Sequence, residues 1–152
     1  MQKLNFDLGL KEYEIGGGVL RFNPGDPNVY ARFAQAGKRL ADVEERLVSK
    51  ANEYGDAVPG EVILALMSEA DQEVKKVLTW IFGDHNDFDA IFCGTNVMGV
   101  GSNGERVITN FIHTIQPVVE AGAKKCAGQQ VNAAVNNARK NRAQRRAEAR
   151  QK

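Results

Sequence analysis

Apolar residues recur at helical spacing along most of this chain. Phe33, Leu40, Leu47 and Tyr54 fall every seven residues, with Tyr30, Gly37 and Ala51 in the adjacent row and Glu44 interrupting it. That pattern predicts an amphipathic helix over 27–54, about 40 Å long at ~1.5 Å per residue. Its stripe is expected to pack on the chain's own second helix rather than to form a coiled-coil seam. Asp26 is placed to cap this helix, Pro27 suits its first position, and Gly55 marks its end. A second helix is predicted over 59–82, stopped by Gly83. Its apolar face comprises Val62, Ile63, Leu66, Met67, Ala70, Val74, Val77, Leu78 and Ile81. Trp80 lies partly off that face and reads as a core-edge residue.

The N-terminal segment alternates instead. Leu4, Phe6 and Leu8 alternate with Asn5 and Asp7, and Tyr13 and Ile15 flank Glu14. Gly16-Gly17-Gly18 then separates these from Val19-Leu20-Arg21-Phe22. This is the pattern of strands joined by a glycine turn. A lone hairpin is marginal in water, so it should lie against a helix.

After the second helix, Asn86 is expected to cap a short helix through Phe92, with Asp87 and Asp89 in its first turn and Gly94 at its end. Residues 94–104 read as a glycine-rich loop. Ser102-Asn103-Gly104-Glu105 has the form of a capping box and predicts a third long helix from about Asn103. Val107, Ile108, Phe111, Ile112 and Ile115 form its apolar face, and Pro117 should kink it. The expected fold is therefore mainly α (α+β): a helical domain over 1–128 with a small N-terminal hairpin. Its long C-terminal helix ends in a basic tail over 129–152, either flexible or helical.

Charge changes this picture at one end. Of the last fourteen residues seven are Lys or Arg and one is Glu148, net +6; the other 138 hold 13 bases and 18 acids, net −5. An acidic body thus carries a basic tail. Such an arm suits solubility, an acidic protein partner or a nucleic-acid backbone. The tail holds no aromatic residue to stack on bases, which argues against nucleic acid. A hydrophobic content of 43% suits a soluble domain, and no apolar run reaches the ~18 residues a membrane span needs. The start of the chain lacks the apolar core of a signal peptide. Cys93 and Cys126 are far apart and read as two reduced thiols.

Chemistry-bearing motifs are weak. Gly99-Val100-Gly101-Ser102-Asn103-Gly104 fits G-x-G-x-x-G, but a helix and loop precede it and no β-α-β unit follows, so a tight connection is the better reading. Asp84, His85, Asp87 and Asp89 miss the calcium-loop spacing because Phe88 occupies a ligand position. His113 has no second His or Cys one turn away. No nucleophile has an activating neighbour in sequence. No catalytic residue, cofactor or metal ligand is assigned, and the expected class is a binding protein rather than an enzyme.

Two blocks carry a family likeness. One runs from Phe6-Asp7-Leu8-Gly9 through Gly17-Gly18-Val19-Leu20-Arg21-Phe22-Asn23-Pro24-Gly25-Asp26-Pro27 to Tyr30 and Arg32-Phe33. The other runs from Asp89-Ala90-Ile91-Phe92 through Asn96-Val97-Met98 to Ile112 and Pro117-Val118-Val119. Over residues 4–122 the chain resembles the tail assembly chaperones encoded in tail gene clusters of long-tailed phages and prophages of Gram-positive bacteria. The resemblance implies a protein of the host cytoplasm, absent from the finished virion. It would keep the tape-measure protein soluble, recruit tail-tube protein and associate with itself. The residues expected to meet partners are Tyr30, Phe33, Leu40, Leu47 and Trp80 on the helices, and Arg139, Arg142, Arg145 and Arg146 in the tail. A structural tail component, a tube or connector protein, is the alternative. A nucleic-acid-binding regulator ranks below it.

Overall fold

The structure is a computed structural model and describes residues 1–151. Strands β1 (Lys11–Ile15) and β2 (Gly18–Phe22) form an antiparallel hairpin, followed by helices α1 (Pro27–Asn52), α2 (Gly60–Phe82), α3 (Phe88–Ile91) and α4 (Val107–Arg150). The fold is mainly α with one small hairpin, as the periodicities predict.

The α1–α2 pair is the frame. Val29, Ala36 and Val43 are buried, and Phe33, Leu40 and Leu47 pack half-buried beside them. Together these residues alternate three and four apart, the spacing of one continuous helix face. From α2 the buried residues are Ala70, Val74, Leu78, Ile81 and Phe82. The two helices run antiparallel, as the ion pairs Arg46–Glu73 and Lys50–Glu69 along the seam record. At α1's start, Asp26 accepts from the Asn28 amide at 2.9 Å and Pro27 occupies the first turn. Trp80 sits at the core edge with the Arg39 guanidinium 3.6 Å over its ring.

Phenylalanines close the centre. Phe82 touches Phe22, Phe33, Phe88 and Phe111, with ring centroids 5.0 to 6.4 Å apart. One side chain thereby joins the hairpin, α1, α3 and α4. The hairpin also docks through its turn. Gly16 has φ +56°, and a Cβ there would collide with the Ile91 carbonyl of α3. The next amide, Gly17 N–H, donates to that same carbonyl at 3.1 Å.

Three local expectations need correction. Residues 1–10 are not strand. Lys11 already pairs with Phe22, the last residue of β2, so nothing faces the chain before it. Asn23 Nδ2 caps that end by donating to the Leu8 carbonyl at 3.1 Å. Leu4, Phe6 and Leu8 are left exposed.

Asn86 does not cap α3; Asp87 does, accepting from the Ala90 amide at 3.0 Å. Asn86 is buried and ties the hairpin to α2. Its Oδ1 accepts from Arg21 N at 2.7 Å, and its Nδ2 donates to the Arg21 and Phe82 carbonyls, each at 3.0 Å. These three backbone groups need one acceptor and two donors, which an amide side chain supplies and a hydroxyl, with a single O–H, does not.

The long C-terminal helix starts at Val107, not Asn103. Residues before it close a small loop instead, with a bridge between Val100 and Arg106 and Gly101 N–H donating to the Glu105 carbonyl at 2.8 Å. The glycines of 99–104 therefore serve a tight connection. Asn103 satisfies the Glu105 amide and exchanges hydrogen bonds with Asn110.

Helix α4 runs on through Pro117, which faces solvent, and remains helical to Arg150. It crosses α1 in the opposite direction. Arg106 reaches Glu44, Ile112 lies near Leu40, and Ala123 and Ala127 lie near Tyr30 and Pro27. Gly122 permits the last approach, because a Cβ there would strike the backbone of Pro24. Beyond Ala127 every described residue is exposed.

Removing residues from Ala138 onward should thus leave the thermal midpoint within about 2 °C of the full chain, since almost no apolar surface is lost. A larger drop in a calorimetric scan would mean that this segment packs on the body.

Lys75 is the principal polar clamp of the body. Its ammonium bridges Asp71 at 2.9 Å and Asp89 at 2.7 Å, and Asp71 also accepts from Val97 N at 2.8 Å. Burial alone would lower the Lys75 pKa, but the hydrogen bonds to Asp89 and Asp71 prevail and raise it. A raised ammonium pKa stabilises the fold fully below the unfolded-state value and loses that contribution as pH climbs through the folded one. Lys75→Met is expected to cost roughly 1–3 kcal/mol at neutral pH by leaving the half-buried Asp71 uncompensated. In urea titrations the deficit should shrink only in strongly alkaline buffer, above the ordinary lysine pKa.

Candidate interaction surfaces

Where the sequence-predicted contact residues lie follows from the two helix seams. Phe33, Leu40 and Leu47 turn toward the core and pack against it. Trp80 is half-buried beneath Arg39. Tyr30 points outward, 45% exposed, at the rim of a groove between the start of α1 and the middle of α4. This groove, of about 510 Å³, is lined by Pro27, Tyr30, Ala123, Cys126 and Ala127, with Glu120 and Lys124 at its edge. Arg139, Arg142, Arg145 and Arg146 are exposed on the projecting part of α4. The structure brings none of these arginines near the helix residues.

Three apolar surfaces lie outside the core, and none of their residues is among the expected contact residues. The first is the N-terminal arm, where Leu4, Phe6, Leu8 and Leu10 are 47–81% exposed. The second is the α1–α2 tip, with Val48, Tyr54, Ile63 and Leu64 exposed, Leu64 at 70%. Ile63 was expected on the buried face of α2. It is exposed because the tip extends past the point where α4 begins, so nothing covers that first turn. Leu64 carried a usable signal, since it is a leucine off the apolar stripe. The third surface is on α4, at Val131 and Val135.

Charges surround these surfaces unevenly. Residues 48–64 hold Glu53, Asp56 and Glu61 and one base, Lys50, which is paired with Glu69. None of the three acids is ion-paired among the described residues. The α4 segment 127–138 is uncharged and leads into the basic run.

Three of the polar groups singled out in sequence have structural partners. Asp87 caps α3, Asp89 pairs with Lys75, and His85 Nε2–H donates to the Arg21 carbonyl at 2.9 Å. Cys93 and Cys126 are free thiols. Among the described residues no three metal-binding side chains converge, and no helix is long and apolar enough to cross a membrane. Comparison with protein-family models, with curated proteins and with solved structures gives no match.

Proposed function

We propose that this chain is a phage or prophage tail assembly chaperone that binds the tape-measure protein and holds it soluble before the tail tube forms. The reading rests on the likeness of residues 4–122 described above. The observation that best supports it is the amount of apolar surface left outside a complete core. Leu4, Phe6, Leu8 and Leu10 of the N-terminal arm and Tyr30 of α1 are all exposed.

A long client with its own apolar stripes would aggregate alone, and many small subunits lying along it would remove that surface from water. The Tyr30 groove suits an apolar helix face, with small residues of α4 as its floor. In this reading the client occupies that groove and the arm of residues 1–10 closes over it. Tail-tube protein would displace the chaperone as assembly proceeds.

Co-expression tests the proposal. With the tape-measure protein of its own gene cluster, this chain should raise the client's soluble yield and co-purify with it. Tyr30→Asp should abolish the complex while leaving the fold intact. An insoluble client with no complex, and this chain found in finished virions, would favour a structural tail component instead.

A further inference from the structure

We propose that copies of this chain bind one another through the α1–α2 tip of one copy and the projecting α4 arm of the next. The inference does not depend on the identity of any client. Helix α4 begins beside Glu44 of α1 and passes Pro27 near Ala127, so the tip and the arm leave the body at opposite ends. The arm beyond Gln130 comprises 20 helical residues, about 30 Å. A lone helix of that length has little to hold it in water without tertiary contacts.

Chemistry then matches the two ends. The tip presents Val48, Tyr54, Ile63 and Leu64, edged by Glu53, Asp56 and Glu61. The arm presents Val131 and Val135, one helical turn apart on one face, followed by Arg139, Arg142, Arg145 and Arg146. Seating the valines on the tip's apolar residues brings the arginines alongside its carboxylates. Like ends repel: tip against tip sets acids together, and arm against arm sets bases together. A second copy is therefore the occupant whose charge complements each surface, and the contact joins unlike surfaces.

A charge exchange tests this. One variant carries Glu53→Lys, Asp56→Lys and Glu61→Lys; the other carries Arg142→Glu, Arg145→Glu and Arg146→Glu. All six changes are at exposed positions. By sedimentation equilibrium the wild type should self-associate within the range up to about 1 mM, more weakly as salt is raised. Each variant alone should associate at least ~10-fold more weakly, because like charges now face each other. Mixed in equal amounts, the two variants restore opposite charges at the contact and should associate again. That recovery also excludes misfolding as the cause of the loss. A wild type that stays monomeric, variants that associate like the wild type, or a mixture that does not recover would each overturn the proposal.

Discussion

Phe82→Ala is expected to destabilise this protein by about 3–5 kcal/mol, the largest loss any single truncation should produce. The reason is connectivity as well as area. Phe82 is the last residue of α2, 3% exposed, and its ring meets Phe22 from β2, Phe33 from α1, Phe88 from α3 and Phe111 from α4. Removing it opens a cavity bounded by four elements at once. Rigid neighbours cannot all collapse into the space, so the cavity contribution adds to the lost transfer energy. Urea unfolding should show a lower midpoint with an unchanged slope. A loss under about 1 kcal/mol would mean that the aromatic cluster repacks freely, and that Phe82 is not its centre.

Gly16→Val is the second. Two penalties combine at this position. A β-branched residue at φ +56° sits in the left-handed region, at a cost of about 1–2 kcal/mol. Its Cβ would also occupy the space of the Ile91 carbonyl, and relieving that clash forces the hairpin away from α3, at a further ~1–3 kcal/mol. Separation would break the 3.1 Å hydrogen bond from Gly17 N–H to Ile91. The expected outcome is a hairpin detached from an otherwise helical body. Far-UV circular dichroism should keep its helical signal while the amides of 11–22 lose hydrogen-exchange protection. Protection equal to wild type would show that the turn tolerates the side chain.

These positions differ in how far the sequence betrays them. The glycine triplet announces a turn, because a tight connection between short apolar runs needs residues free of a Cβ. That the turn also presses on α3 is a tertiary fact with no local signature. Helix periodicity revealed α1 and α2 almost to their ends, because 3.6-residue spacing records burial directly. It favoured the Phe33–Leu40–Leu47 row, yet the deeper row is Val29, Ala36 and Val43. Small side chains allow the closest helix approach, and the larger Phe33, Leu40 and Leu47 of the adjacent row dominate the pattern.

Polar residues misled for a different reason. Asn86 and Ser102 stand at good capping positions, but capping competes with any other backbone group left unsatisfied. Asn86 is drawn inward by Arg21, whose N–H and carbonyl it satisfies. At the N-terminus, alternation alone could not reveal that residues 1–10 lack a partner strand. The surfaces proposed to bind were the hardest to read. Leu4 and Val131 are apolar like core residues, and only the fold separates the two, whereas Leu64 stands off the apolar stripe of its helix. The basic run, by contrast, was visible at once as charge.

The Tyr30 groove and the arm of residues 1–10 are the apolar surfaces proposed to meet the client. Hydrogen–deuterium exchange of the chain, free and mixed with its tape-measure protein, tests this assignment most directly. Slowed exchange is expected in residues 4–10, at Tyr30 and its neighbours, and along α4 from Ala123 to Gln130, with the α2 core unchanged. Complex formation without protection at any of these segments, or no complex at all, would contradict it.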